Sequence, residues 1–160
     1  RARLAHEAPA PVLALRLADR AQVSTQAAAV RPLGAACLVL GSENHGAVDG
    51  ERPVLFRVDP TGQFYICKTA CVGRGSEECA ELLRHEVDAC GRDFDDSPAE
   101  VEELTRICVR VLERAAGGDR SAGKSGRTPH ERYNVGVFET QSGFRVMGHS
   151  EIERTLRAES

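Results

Sequence analysis

The sequence predicts an α+β fold in which helices are layered on antiparallel strands. Between residues 31 and 75, four short apolar runs are separated by Gly, Pro and Asp. Two of these runs flank a tight-turn sequence, which indicates a hairpin and therefore antiparallel pairing. Segments of helical period follow one another instead of alternating with strands, so a doubly wound parallel sheet is disfavoured.

The composition predicts one globular domain over residues 1–160. The chain is 41% hydrophobic and 28% charged, which is typical of a soluble protein. It contains no apolar run long enough to cross a membrane and no secretion signal. The net charge is −3, and the basic residues are scattered, so we expect neither a membrane nor a nucleic-acid partner.

The first predicted element is a helix over residues 11–27. Pro11 suits the first helical turn, and apolar residues recur with helical spacing after it. The stripe expected to be buried consists of large aliphatic side chains: Val12, Leu13, Leu15, Leu17 and Val23.

Four strands are predicted next. The continuous apolar run 35–40 suits a strand covered on both faces. Runs 53–58 and 63–67 flank Asp59-Pro60-Thr61-Gly62, whose Asp, Pro and Gly occupy the positions that a type I turn favours. A fourth short run, 69–72, ends at two glycines.

Two consecutive helices are predicted after the strands. The first, 76–90, would be capped by Ser76 and ended by Gly91. The second, 97–116, begins with a capping box that has Pro at its first helical position. Each carries an apolar stripe, for which a sheet face is the expected partner. The stripe of the first helix consists of Cys79, Leu82, Leu83 and Cys90. The stripe of the second consists of Val101, Leu104, Cys108, Val111 and Ala115, with Ile107 and Leu112 beside them.

A second hairpin and a final helix complete the prediction. Runs 133–138 and 143–147 are separated by three polar residues. The last helix starts at the capping box that begins with Ser150, and it should bury Ile152 and Leu156.

One segment matches a nucleotide-binding motif. Within residues 117–130, a predicted flexible loop insertion, Gly118, Gly123, Lys124 and Ser125 fit the P-loop pattern. A P-loop must follow a buried strand and open a helix so that backbone N–H groups converge on phosphate. This segment follows a helix instead and contains no large apolar residue, so a chance match is the favoured interpretation.

The six cysteines are interpreted as buried, reduced thiols that pack as small apolar side chains. No C-x-x-C occurs, which disfavours a zinc site, and a disulfide framework is the less favoured alternative. Reduced thiols indicate a reducing compartment. The residues are Cys37, Cys67, Cys71, Cys79, Cys90 and Cys108.

The remaining polar residues indicate no active site. The five histidines lack metal-ligand spacing, and carboxylates between residues 93 and 103 suit a helix N-terminus. Lys68 could be a general base, although a lone lysine at a strand end is more often a surface charge. We therefore expect no catalytic, cofactor-binding or metal-binding residues, and no cofactor.

Several motifs resemble those of 20S proteasome α-type subunits. Arg31-Pro32-Leu33-Gly34 before an apolar strand resembles the family's R-P-[FL]-G entry. The segments Val58–Gly62 and Cys67–Gly73 are similar to its V-D-P-[ST]-G turn and W-K-A-T-A-x-G segment, with Cys67 in place of the usual aromatic. Within the family, Leu17–Gly34 is most similar to the type-6 α subunit, the first position of the ring. The tail beginning at Tyr133 resembles the C-terminal hairpin and helix.

The resemblance implies a fold and a role. The fold is the four-layer αββα sandwich of two antiparallel sheets, shared with N-terminal nucleophile hydrolases. The role is non-catalytic: α subunits form seven-membered outer rings, template the β rings, gate the entry pore and receive activator particles. It implies a contribution to ubiquitin-dependent protein degradation, and a cytoplasmic and nuclear location.

The resemblance also implies that this sequence is the C-terminal portion of an α-type domain. Arg1-Ala2-Arg3 resembles the end of the long helix that precedes this region in the family, so the gating segment and first strands are expected outside it. Three functional alternatives remain open, of which the first two are an active N-terminal nucleophile hydrolase of the same fold and, less favoured, a P-loop nucleotide-binding protein. A generic α+β interaction domain outside any ring is a further one.

Overall fold

The computed structural model describes residues 8–27, 31–44, 51–91, 101–117, 132–139 and 142–157. They form two compact units, Arg1–Arg74 with Phe138–Gly143, and Gly75–Val137 with Phe144–Ser160. The α+β class is confirmed; the single domain over 1–160 stays a prediction. The elements are α1 (Ala10–Gln26), β1 (Cys37–Asn44), β2 (Glu51–Val58), β3 (Phe64–Ile66), α2 (Ser76–Ala89), α3 (Val101–Gly117), β4 (Gly136–Glu139), β5 (Gly143–Val146) and α4 (His149–Arg157).

The first hairpin forms where the turn sequence predicts it. β1, β2 and β3 make an antiparallel sheet in that order. In the turn, the Gly62 N–H donates to the Asp59 carbonyl at 3.0 Å, and the Asp59 N–H donates to the Gln63 carbonyl at 2.8 Å. Gly62 has φ +87°, and a Cβ placed there would lie 2.6 Å from Gln22 Cβ of α1. The turn therefore requires glycine both for its backbone angle and for its contact with α1.

The predicted fourth strand, 69–72, is not a strand. β3 ends at Ile66, and the Cys67 N–H still donates to the Leu55 carbonyl at 2.9 Å. The described sheet has the order β1-β2-β3 and does not include segment 69–72. The prediction rested on apolar and β-branched composition, which favours a strand only weakly because strand preference depends on tertiary context.

Helix α1 forms as predicted, but it buries a different face. Leu17 packs against the core from its edge, whereas the other four predicted core residues, Val12, Leu13, Leu15 and Val23, are exposed. A Cβ on Gly41 of β1 would lie only 2.8 Å from Ala10 Cβ, so the helix approaches the sheet closely. Only small side chains fit at that distance. The buried residues are Ala10, Ala14, Ala18, Ala21 and Ser24.

In the second unit, the start of α2 differs from the prediction. Gly75 precedes the helix with φ +74°, and Ser76 is the first helical residue rather than a side-chain cap. The predicted end is confirmed, because Gly91 follows the helix with φ +60°. Cys79 and Leu83 are buried as expected, while Leu82 and Cys90 are half-buried.

Helix α3 buries a broader surface than the single predicted stripe. The predicted start of this helix, residues 97–100, lies outside the described residues. Leu104 and Leu112 are exposed, as is Cys108, whereas Val111 is buried as predicted. Because α3 packs against both α2 and α4, residues on more than one side are covered. The buried residues are Thr105, Ile107, Val109 and Val111.

The second hairpin and the final helix are confirmed. β4 pairs with β5, and the Met147 N–H donates to the Val135 carbonyl at 2.8 Å. Helix α4 begins at His149, one residue before the predicted cap, and Ile152 is fully buried while Leu156 is half-buried. The core around Ile152 also contains Val137 and Met147, with Val101, Val135 and Leu156 packed at its edge.

Candidate interaction surfaces

The strand register divides the residues of the first sheet between two faces. Residues paired across antiparallel strands project to the same side, and successive residues alternate. Val39, paired with Phe56, faces α1 and is buried. The neighbouring pair, Leu40 with Leu55, therefore lies on the opposite side. α1 covers the first side, so within the described chain the sheet has one covered and one uncovered face.

The uncovered side is apolar, and we call it the open sheet face. Leu38 is 40% exposed, Leu40 48% and Tyr65 45%, and Leu55 is half-buried among them. The run 35–40 was predicted to be covered on both faces, and the described residues cover only one. Exposed apolar side chains grouped on one sheet face, here on both sides of Arg57, are typical of a surface that contacts another element or molecule.

One ion pair lies beside these apolar side chains. Arg57 pairs with Leu38 and Tyr65 across the strands, and its Nε donates to Asp59 Oδ1 at 3.0 Å. This hydrogen bond raises the pKa of the Arg57 guanidinium above its ordinary value. The pairing fixes the Arg57 guanidinium along the strand and compensates its charge. If another layer covered this face, Arg57 would still have a carboxylate partner.

Cys67 continues the open sheet face beyond β3, and its thiol contacts the neighbouring strand. Its Sγ donates to the Leu55 carbonyl at 3.6 Å. Burial raises the pKa of the Cys67 thiol above its usual range. A thiol with a raised pKa stays protonated at neutral pH and is a poor nucleophile. Burial therefore favours the protonated, less nucleophilic form of the Cys67 thiol.

Two further apolar surfaces are exposed. The outer face of α1 presents four aliphatic side chains, with Val23 65% exposed. On β5, Phe144 is 67% exposed, and its ring lies across Gly136, where a Cβ would meet the ring Cε2 at 2.8 Å. Val146 is similarly exposed. Either surface could contact another chain, and neither of the two contains the polar groups of a catalytic site.

A buried carboxylate joins two helices of the second unit, and the sequence analysis missed it. Glu86 lies on the buried side of α2, and Arg110 Nη1 of α3 donates to its Oε2 at 3.1 Å. Arg114, one turn later, pairs with the other oxygen. The sequence did contain a signal for it. Glu86 follows Leu83 of the apolar stripe by three residues, and two arginines spaced four residues apart lie on the next helix. The arrangement is an inter-helix clamp.

Of the polar residues that the sequence analysis considered for chemistry, only some lie in the described part of the chain, and those do not form a metal-binding cluster. The P-loop look-alike, Gly118 to Ser125, and the carboxylates between 93 and 100 lie outside the described residues, as do His45 and His130. His85 is exposed on α2, and Lys68 is exposed after β3. Across the described ranges, no three His, Cys, Asp or Glu side chains cluster as a metal site would require.

The cysteines differ from their prediction in burial. All six have free thiols, but only Cys79 is buried. Cys37 and Cys108 are exposed, and Cys67, Cys71 and Cys90 are half-buried. Cys37 and Cys108 occupy positions in β1 and α3 that the apolar pattern assigned to the core.

Of the helices that the structure describes, none combines the length and hydropathy needed to traverse a bilayer.

The described part of the chain thus combines an α+β fold with one uncovered sheet face. Comparison with known proteins identifies the class. Residues 1–127 match the family described as "Proteasome subunit". This chain belongs to the proteasome subunit family.

Several of the relatives that it matches are named proteasome α subunits. It is 36% identical over 157 residues to "Proteasome subunit alpha" of Pyrococcus horikoshii, covering 96% of this chain and 51% of the relative. It is 31% identical over 151 residues to "Probable proteasome subunit alpha type-1" of Schizosaccharomyces pombe, covering 94% and 54%. "Proteasome subunit alpha type-7-1B" of Drosophila melanogaster is 27% identical over 146 residues, covering 89% and 50%. The chain spans about half the length of these curated relatives.

Proposed function

We propose that this chain is a non-catalytic structural subunit of the α ring of the 20S proteasome core particle. The observation that carries the proposal is the open sheet face, an apolar surface in a chain whose relatives are named α subunits. A protein that contributes packing surfaces rather than reactive groups suits a scaffold role. Its contribution to ubiquitin-dependent protein degradation would then be assembly and support of the ring.

The same observation supports a four-layer αββα sandwich. α1 and the sheet β1-β2-β3 supply two layers, and a second antiparallel sheet would cover the open sheet face. Stacked sheets lie about 10 Å apart with interdigitated side chains. Leu38, Leu40 and Tyr65 have the size and exposure required for that layer. Arg57, already paired with Asp59, would enter it with its charge compensated.

Within the ring, we propose the type-6 position. The support is the similarity of Leu17–Gly34 to that subunit type; the relatives' names include several α types, so the proposal depends on this stretch alone. The partners would be other α subunits of a seven-membered ring, the β subunits of the inner ring and activator particles, in cytoplasm and nucleus. No cofactor is required for this role.

The alternative from another class is an active N-terminal nucleophile hydrolase. The two roles predict different covalent chemistry, because an active relative uses an N-terminal threonine whose amine acts as base. The α naming of the relatives favours the non-catalytic role.

Purification of the full-length endogenous protein through a C-terminal affinity tag tests the proposal. Native electrophoresis should place the tagged chain in a particle that contains homologous α and β chains and has peptidase activity. A covalent probe for N-terminal threonines should label other chains of that particle and leave this chain unlabelled. Labelling of this chain would overturn the non-catalytic role, and recovery of a free monomer would overturn the ring assignment.

A further inference from the structure

We draw no further inference here: the strongest candidate, the exposed outer face of α1 formed by Val12, Leu13, Leu15 and Val23, carries nothing because nothing in the structure shows what covers it.

Discussion

The two units of this chain bury their apolar residues in different ways. In the first unit, α1 presents alanines to one face of a three-stranded sheet, and large aliphatic side chains of the same helix remain exposed. In the second unit, α2, α3 and α4 bury larger residues, such as Ile107 and Ile152, and an ion pair between α2 and α3 includes the buried Glu86. Small side chains let a helix approach a sheet closely, but each buries little apolar area.

The second unit also exposes Phe144 and Val146, so the difference lies in the sheet of the first unit, one face of which the described chain leaves uncovered. Complete burial of a large aliphatic side chain stabilises a protein by about 1.5–3 kcal/mol. The first unit leaves Leu38 and Leu40 of the open sheet face about half exposed, so much of this stabilisation is not realised in the described chain. The core of the second unit closes around the fully buried Ile152. Substitutions in the two units should therefore differ in whether they affect the chain alone or its assembly.

The largest effect is expected from Gly62→Val. Valine would require φ near +87° and would place its Cβ 2.6 Å from Gln22 Cβ and 2.9 Å from the Ala18 carbonyl oxygen. Backbone strain and overpacking together should cost roughly 4 kcal/mol of unfolding free energy, measured by urea denaturation. We also expect loss of incorporation into the proposed α ring, measured by co-purification.

Gly73→Val is the matched control for this substitution. Gly73 has φ +103°, and no atom lies within 4 Å of a Cβ built there, so only the backbone strain remains. It should cost about 2 kcal/mol. Equal losses for the two variants would show that contact of the turn with α1 is unimportant.

In the second unit, Ile152→Ala should give the next largest loss. Ile152 is 0% exposed and packs with Val137 and Met147. Truncation leaves a cavity and should lower the free energy of unfolding by about 3 kcal/mol. Leu112→Ala, at a residue 42% exposed on α3, should cost less than about 1 kcal/mol under the same urea titration. A small effect of Ile152→Ala would contradict a closed core in this unit.

Glu86→Gln tests the clamp between α2 and α3. The Glu86 side chain is only 10% exposed, whereas those of Arg110 and Arg114 are 41% and 54% exposed and stay hydrated when the carboxylate is removed. We therefore expect a loss of about 1–2 kcal/mol, below that for a fully buried pair. Thermal unfolding monitored by circular dichroism measures it.

Glu102→Gln is the control for the clamp. The Glu102 carboxylate is 49% exposed and 4.0 Å from Arg106 Nη2. A change below about 0.5 kcal/mol is expected. Equal effects at residues 86 and 102 would contradict the assignment of the clamp to Glu86.

Leu40→Ser should have a small effect on the chain alone and a large effect on assembly. Leu40 is 48% exposed on the open sheet face, so the loss in unfolding free energy should be below about 1 kcal/mol. Its neighbour Val39 is 6% exposed and faces α1, so Val39→Ala should cost about 2 kcal/mol. Native electrophoresis should show Leu40→Ser excluded from the particle, and normal incorporation would count against a covered sheet face.

Local sequence signals predicted those parts of the fold that depend on local chemistry. The turn at Asp59–Gly62 and the helix end at Gly91 depend on backbone preferences that neighbouring residues determine. Which face of α1 is buried depends on the distance between the helix and the sheet. The helical spacing of apolar residues gives no information on that distance. Whether segment 69–72 forms a strand likewise depends on tertiary context and not on its composition alone.

The interaction surfaces were only partly predictable for the same reason. The continuous run at 35–40 indicated that both sides of β1 are apolar, but not that α1 would cover only the Val39 side. The Glu86 clamp could not be inferred from one helix, because the acid and its arginines lie 24 and 28 residues apart. Their pairing requires the packing of α2 on α3.

Thiol labelling of Leu40→Cys, in a Cys37→Ser background, tests the central claim most directly. The reagent would be applied to the purified chain and to the assembled particle, with the labelled position identified by peptide mass spectrometry. A covered sheet face predicts rapid labelling at residue 40 in the isolated chain and roughly tenfold or more slower labelling in the particle. If the face opens and closes quickly, a tenfold difference in rate corresponds to about 1.4 kcal/mol of protection. Equal rates in the two samples would contradict the claim that the open sheet face is covered in the assembled proteasome.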